Sequence, residues 1–420
     1  MKANLVIINI GVLYTPIIKP PIRGKDMSHI LEVENAFIAI KDGKIIDFGN
    51  QDYAKYISTE TEIFDAKHCI AIPGLIDSHT HLVHAGSRED EYAKLRAGVP
   101  YLDILKSGGG ILGTVNKTRE ASFEDLYKKG YSSLDEMMLY GVTTIEAKSG
   151  YGLDLLNEVK QLEVAKKINE THPVFIKSTY MGAHAVPKEY KDNKPGYINQ
   201  IIEDMKYIKN HHLADAVDVF CETGVFSIED TRKILKEAQQ LDFSVKLHAD
   251  EIDSLGGAGL GVELQATSVD HLMAISDEDI KKLSKSNTVA NLLPGTSFYL
   301  NKGYAPARKM IDANCALSIA GDYNPGSCPT ENFQFIMHLA SNELKMNPKE
   351  ILNATTINPA YHLGLSESKG TIDIGKDADI VLMDASNLNY LVYHFGVNHT
   401  KHVLINGKFV VFNRQIVRKK

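Results

Sequence analysis

At 420 residues and 46.5 kDa the chain is too long for one small core and suits a large barrel joined to a smaller domain. Its composition, 44% hydrophobic, 24% charged and 8% aromatic, is that of a globular protein and excludes disordered, collagenous and coiled-coil chains. Lys plus Arg number 46 against 53 Asp plus Glu, a formal charge of -7, so no basic field gathers phosphate backbones and nucleic acid is not an expected partner.

In chain order, residues 1–66 carry short alternating segments, NLVIINIGVLYT, AFIAIKDGKIIDFG and ETEIFDAK, separated by Asp-Gly and Gly-Asn turn signals, which is β-hairpin chemistry. The opening MKANLVIINIGVLYTP has one Lys before a short alternating run that meets Gly and Pro, with no small-residue cleavage site, and reads as a strand rather than a signal peptide. No uncharged apolar stretch approaches the roughly 18 residues of a membrane span, so neither export nor a membrane partner is expected.

The middle of the chain alternates short apolar runs with longer amphipathic helical segments, the pattern of β/α units around a parallel sheet. Eight such runs are present: GLIDSHTH (74–81), GVTTIEAKS (141–149), VFIKSTYMGAH (174–184), AVDVFCETG (216–224), SVKLHADE (244–251), TSVDHL (267–272), TVANLLPG (288–295) and ALSIAGD (316–322). Nearly every run ends in a polar or ionisable group, as expected where the strands of a (β/α)8 TIM barrel deliver side chains to their C-terminal face, and this favours the barrel over a doubly wound sheet. Beyond the barrel, GTIDIGKDADIVLMDA and KHVLINGKFVVFNRQIV return to hairpin texture, with Asn406-Gly407 as a strong turn. Either end alone is too short to bury a core, so residues 1–66 and 364–420 are expected to form one composite β-sandwich flanking a barrel of residues 67–363. The four cysteines, Cys69, Cys221, Cys315 and Cys328, lie far apart without C-x-x-C spacing, which predicts neither a disulfide framework nor a cysteine zinc site and suits a reducing cytoplasm.

The first run closes with Asp77-Ser78-His79-Thr80-His81, and residues i and i+2 of a strand face the same way, so His79 and His81 can present two imidazoles to one point. Alone, an H-x-H is as readily a packing or surface feature. The recurrence of His248, His271 and Asp322 at the ends of runs five, six and eight changes the balance, because an ionisable group behind buried apolar residues is costly unless paired or metal-bound. His79, His81, His248 and Asp322 are therefore expected to share a metal ion, and a divalent ion lowers the pKa of bound water from 15.7 toward about 7. Glu251, three residues past His248, and His271 are the candidates for proton transfer. Arg88, seven residues past His81 on the first loop, can anchor a substrate carboxylate as a planar fork. Gly108 to Gly113 satisfies G-x-G-x-x-G but follows YLDILKS, a helical turn rather than an apolar strand, so it is expected to be a flexible loop near the mouth and not a dinucleotide site.

PGLIDSHTH, a later strand ending in His, another His one strand on and an Asp closing strand eight resemble the amidohydrolase superfamily of metal-dependent barrels, which also habitually carries a sandwich built from both termini. Within it, HTHLVHAGSRE, SGGGILGTV, EAKSGYGL, TYMGAHAVP, HADE and AGDYNPGS, from about residue 70 to 330, resemble the members that open a cyclic amide in histidine degradation. The resemblance implies hydrolysis of 4-imidazolone-5-propanoate to N-formimidoyl-L-glutamate by a cytoplasmic homodimer. It further implies that Glu251 contacts the substrate ring nitrogen, that His271 and Asp322 activate water, and that Arg88, Tyr151, His184, Asn324, Gly326 and Ser327 line the substrate site. Binuclear members bridge two ions with a carboxylated Lys on strand four. The fourth run lacks a Lys, and although Glu222, Lys148 and Lys177 are conceivable substitutes, one transition metal ion per chain is expected, zinc or iron suiting the ligands equally. The alternatives are an aryl amine deaminase of the guanine or cytosine type and a catalytically inactive barrel acting as a binding protein. Arg88 with Tyr151 speaks for a carboxylated substrate against the first, and the complete ligand set speaks against the second.

Overall fold

The computed structural model describes residues 1–99 and 109–418. The N-terminal segment opens with β1 (Leu5–Pro16), paired antiparallel with β2 (Ile30–Lys41), which turns into β3 (Lys44–Gly49). Asp42 and Gly43 make that turn with φ of 50° and 78°, the positive-φ geometry that an Asp-Gly pair adopts at low cost. A bulge between Ile7 and Ile10, with Asn9 at φ 54°, lets the other edge of β1 take two parallel partners in succession, β4 (Glu62–Asp65) and β5 (Ile70–Pro73).

Eight parallel strands follow in sequence order: β6 (Leu75–Thr80), β7 (Val142–Lys148), β8 (Phe175–Ala183), β9 (Ala216–Cys221), β10 (Ser244–Ala249), β11 (Ser268–His271), β12 (Val289–Leu292) and β13 (Leu317–Ile319). The segment after β13 closes the ring against β6, Asp322 N–H donating to the His79 carbonyl at 2.9 Å and His81 N–H to that of Tyr323 at 2.8 Å. Asp77 accepts the Gly321 N–H at 2.8 Å across the same seam. This is the (β/α)8 barrel that the eight runs predict, with helices outside and side chains filling the interior, so that β6, β7, β11, β12 and β13 are buried over every residue. The returning helices start where the sequence supplies caps: the side chains of Ser122, Asp154, Ser227 and Ser276 accept a backbone N–H from the first turn of helices Phe123–Leu139, Leu155–Thr171, Ile228–Gln240 and Asp277–Leu283.

The chain ends by rejoining its beginning. β14 (Ile380–Met383) pairs with β5, and β15 (Thr400–Ile405), β16 (Lys408–Phe412) and β17 (Gln415–Ile416) extend the sheet to nine strands, Asn406-Gly407 turning β15 into β16. Ile7, Ile10 and Leu13 of β1 share one core with Ile380 and Leu382 of β14 and Leu404 of β15, so neither terminus completes this unit alone.

The glycine-rich stretch departs from the expected loop. Gly110, at φ 76°, heads the helix Ile111–Glu120, in which Thr114, Val115 and Thr118 are buried and Thr118 accepts the Ala85 N–H at 3.1 Å. Burial of one face outweighs the helix cost of Gly113. Gly108 and the YLDILKS turn before it lie outside the described residues, apart from which no helix is long and apolar enough to cross a membrane.

Candidate active site

At the C-terminal ends of β6 and β10, one ring nitrogen from each of His79, His81 and His248 lies within 4.8 Å of the others, all three residues being buried. Two of the rings are oriented from behind. His79 Nδ1 stands 2.5 Å from Asp270 Oδ2 and His248 Nδ1 stands 3.0 Å from Asp218 Oδ1, so each ring donates Nδ1–H to its carboxylate and the neutral ring presents the Nε2 lone pair. His79 Nε2 is buried without any hydrogen-bond partner, an orphaned acceptor that suits a cation and little else. Burial holds His79 and His81 well below the usual imidazole range, in the neutral form that ligates. At His248 burial works in the same direction, but the Asp218 carboxylate outweighs it and the ring lies above its ordinary value. The donor set fits a metal ion.

Asp322 stands beside two of the three histidines, its Oδ1 3.5 Å from His79 Nε2 and 3.7 Å from His81 Nε2, while its Oδ2 accepts the Thr296 hydroxyl from the helix Pro294–Leu300. Asp322 and His271 both hold positive φ, 55° and 79°, strain that clusters where strand ends aim side chains inward. The Glu251 carboxylate lies 3.7 Å from His271 Nε2. Its loop is pinned by Asp250, whose carboxylate accepts the N–H groups of Leu255, Gly256, Gly257 and Ala258. Burial raises Glu251 to about 7 and lowers His271 to about 3, pairing a readily exchanged proton with a neutral imidazole at neutral pH.

Arg88 immediately precedes the helix Glu89–Arg96, and its Nη2 and Nε lie 2.8 and 2.9 Å from Glu91 Oε2. Gly326 faces it so closely that a Cβ there would stand 2.2 Å from Arg88 Nη1. Asn324 shapes this loop: Oδ1 accepts the Gly326 and Ser327 N–H groups at 2.8 Å, and Nδ2 donates to the Asp322 carbonyl at 2.7 Å and to Ser327 Oγ at 2.9 Å. The Asn324 amide is thus committed to its own turn. The loop after β7 carries Tyr151 and is tied down by Glu158, which accepts the N–H groups of Gly150, Gly152 and Leu153. The His184 ring stacks on His81 at 5.0 Å and donates Nδ1–H to the Gly150 carbonyl at 3.0 Å, and Tyr151 lies 5.3 Å from it, ring to ring. Burial keeps the Tyr151 phenol protonated and drops His184 to about 3.

The substitutes weighed for a bridging lysine are engaged elsewhere. Glu222 accepts the N–H groups of Thr223 and Ile252 at 2.8 and 2.9 Å, Lys148 is buried 2.6 Å from Asp218 Oδ2 and 3.0 Å from Glu146 Oε2, and Lys177 pairs with Asp215 at 2.8 Å. The orienting residues Asp218 and Asp270, with Lys148, Glu146 and Lys246, escape a reading that looks only at strand ends. Their signal is an acid or lysine inside an apolar run, as in AVDVFC and SVKLHA, where a charge demands an opposite partner across the barrel.

The chain matches the model of the amidohydrolase family over residues 70–410. It is 50% identical over 412 residues to the imidazolonepropionase of Fusobacterium nucleatum, covering 98% of this chain and 99% of that one. With the imidazolonepropionase of Streptococcus gordonii it shares 46% identity over 421 residues, 99% of this chain and all of the other. Among solved structures it resembles an E. coli guanine deaminase (TM-score 0.75, 15% identity, 97% of this chain and 98% of that one). It also resembles a zinc-bound adenosine deaminase from Xanthomonas campestris (TM-score 0.73, 18% identity, 100% and 95%). At such identity these two likenesses concern the fold alone.

Proposed function

The chain belongs to the amidohydrolase family and, within it, to the imidazolonepropionases, and from that premise we propose how its own residues perform the reaction. It is a hydrolase that opens the cyclic amide of 4-imidazolone-5-propanoate to give N-formimidoyl-L-glutamate, a step of histidine degradation. One ion per chain, zinc or iron, would be held by His79, His81 and His248, with Asp322 beside two of them to complete the set. When bound, such an ion lowers the pKa of water toward about 7 and polarises a carbonyl oxygen.

Arg88 receives the propionate as a bidentate partner, exchanging part of its contact with Glu91 for the substrate. Tyr151 and His184 flank the ring, the neutral phenol as a donor and the neutral imidazole, its Nδ1–H already given to Gly150, as an acceptor. The Gly326 and Ser327 backbone, shaped by Asn324, borders the carboxylate. Water oxygen adds to the ring carbonyl carbon while one of its protons passes to Asp322, with the neutral His271 ring beside it orienting the water, and the carbon–nitrogen bond then breaks as Glu251 delivers a proton to the departing ring nitrogen. Glu251 suits this because burial leaves it half protonated near pH 7. We place the enzyme in the cytoplasm as a homodimer without nucleic-acid or membrane partners.

The observation that supports the site assignment is the convergence of three buried imidazoles, two of them held neutral by burial and each of those two with an orphaned buried nitrogen, near a loop that offers an arginine. The experiment is formation of N-formimidoyl-L-glutamate alongside elemental analysis, before and after chelation. Activity that survives complete metal removal would refute the assignment.

A further inference from the structure

The interior of the barrel contains a hydrogen-bond chain that the reaction above leaves unused. Asn291, buried in the middle of β12, donates Nδ2–H to Asp270 Oδ2 at 3.2 Å, the same oxygen that lies 2.5 Å from His79 Nδ1. Its Oδ1 accepts the Ser318 hydroxyl at 2.8 Å and the Ser78 hydroxyl at 3.4 Å. Both hydroxyl oxygens in turn lie against His362 Nε2, at 3.2 and 3.1 Å. Each hydroxyl has one proton and gives it to Asn291, so the hydrogen between His362 and the serines must sit on Nε2. His362 Nδ1 is left as a lone pair, buried without a partner, beside a cavity at the N-terminal end of the barrel that Tyr361 and Lys246 also line.

We propose that Asn291, held by Ser318 and His362, is a positioning residue for the metal ligand His79. The physical reason is competition for Asp270. Its Oδ2 also lies 3.9 Å from Lys148 Nζ, a buried cation toward which an unrestrained carboxylate would rotate, releasing the His79 Nδ1 proton it holds. Asn291 on Oδ2 and the Ser268 hydroxyl on Oδ1 at 2.6 Å hold both oxygens in the plane that serves His79. Leu would fill the Asn291 site with comparable volume and no donor. The polar chain from His362 upward therefore does something that apolar packing of the barrel centre would not.

The inference rests on His79 being a ligand, and the experiment separates the two. In holoenzyme titrated with a competing chelator, Asn291→Leu should bind metal 10- to 100-fold more weakly, about the cost of losing a partner that orients a ligand, and the cobalt-substituted protein should show an altered visible spectrum. Turnover should fall while KM changes less than about twofold. His362→Ala should show a smaller loss of the same kind, and His362→Gln, whose amide N–H can replace Nε2–H, should restore parent metal affinity. Should Asn291→Leu fail to fold, the His362 pair carries the test. Parent metal affinity and an unchanged cobalt spectrum in the folded Asn291 and His362 variants, with only a lower Tm, would reduce the chain to packing and overturn the inference. Metal retained by His79→Ala would instead overturn the ligand assignment beneath it.

Discussion

The three clustered histidines proposed to hold the metal and the residues around Arg88 are held in place by different means. His79 and His248 stand on strands, each backed by a buried carboxylate that is itself paired, through Asn291 in one case and Lys148 in the other. Arg88, Tyr151 and Gly326 stand on loops shaped by short-range contacts: Glu91 three residues after Arg88, Glu158 under the Tyr151 loop, and Asn324 folding its own turn. Displacement at the metal floor must break ion pairs sealed from water, whereas the rim can adjust one turn at a time. Substitutions at the floor should therefore act on metal occupancy as a whole, and substitutions at the rim should grade substrate affinity.

The largest effect is expected from His248→Ala, which removes a proposed ligand at the catalytic face and not at the stability face of the barrel. Elemental analysis should find the metal lost and turnover at background, in protein that still folds by circular dichroism; full activity would remove His248 from the ligand set.

Glu251→Gln should cost roughly 100-fold in turnover, in the range for loss of a general acid, with metal content unchanged. Its pKa, raised to about 7, also fixes a sign. Glu251 delivers a proton only in its protonated form, so kcat/KM of the parent should fall as pH rises through about 7, and that limb should vanish in the variant. A pH profile whose alkaline limb survives Glu251→Gln would assign the proton to another group.

Arg88→Met should remove a charge-assisted contact of about 1.5 to 3 kcal/mol, or roughly 10- to 150-fold in kcat/KM. A ring analogue without the carboxylate should lose little further in that variant, and Arg88→Lys should recover only part of the loss, because an ammonium lacks the fork. Equal losses for both substrates would show that Arg88 supports its loop instead.

The smallest of these effects should come from Gly326→Ala, whose methyl would press on Arg88 Nη1 from 2.2 Å. The guanidinium can move aside, so KM should rise by less than the Arg88→Met loss, about tenfold or below, with kcat and metal content nearly unchanged. A fall in metal content would show the floor and rim to be coupled rather than independently held.

How much of this was readable beforehand divides along similar lines. The eight apolar runs, each ending in a polar group, predict the barrel because strand alternation and burial act on neighbouring residues. His79 and His81 announce themselves through i, i+2 spacing. Asp218 and Asp270 are visible in the sequence as charges within apolar runs, yet which histidine each serves depends on side chains 30 and 191 positions apart in the chain, on adjacent strands in the first case and across the barrel interior in the second. The glycine-rich stretch misleads in the other direction, because local propensity favours a loop and tertiary burial of Val115 and Thr118 makes a helix.

By itself, then, the sequence determined whatever short-range physics controls: the hairpin turns at Asp42-Gly43 and Asn406-Gly407, the caps at Ser227 and Ser276, the strand periods, and the ionisable residues at strand ends. Tertiary structure decided which of those residues meet. Closing the ring between Asp322 and His79 put strand eight beside strand one and set Asp322 between two histidines. The same closure seated Gly326 against Arg88 and brought Ser78 to Asn291 and His362, while the surrounding fold desolvates Glu251 enough to raise it to about 7. Proton affinity, ligand orientation and close approach all depend on distance and dielectric through space, and these exist only once the chain has closed on itself.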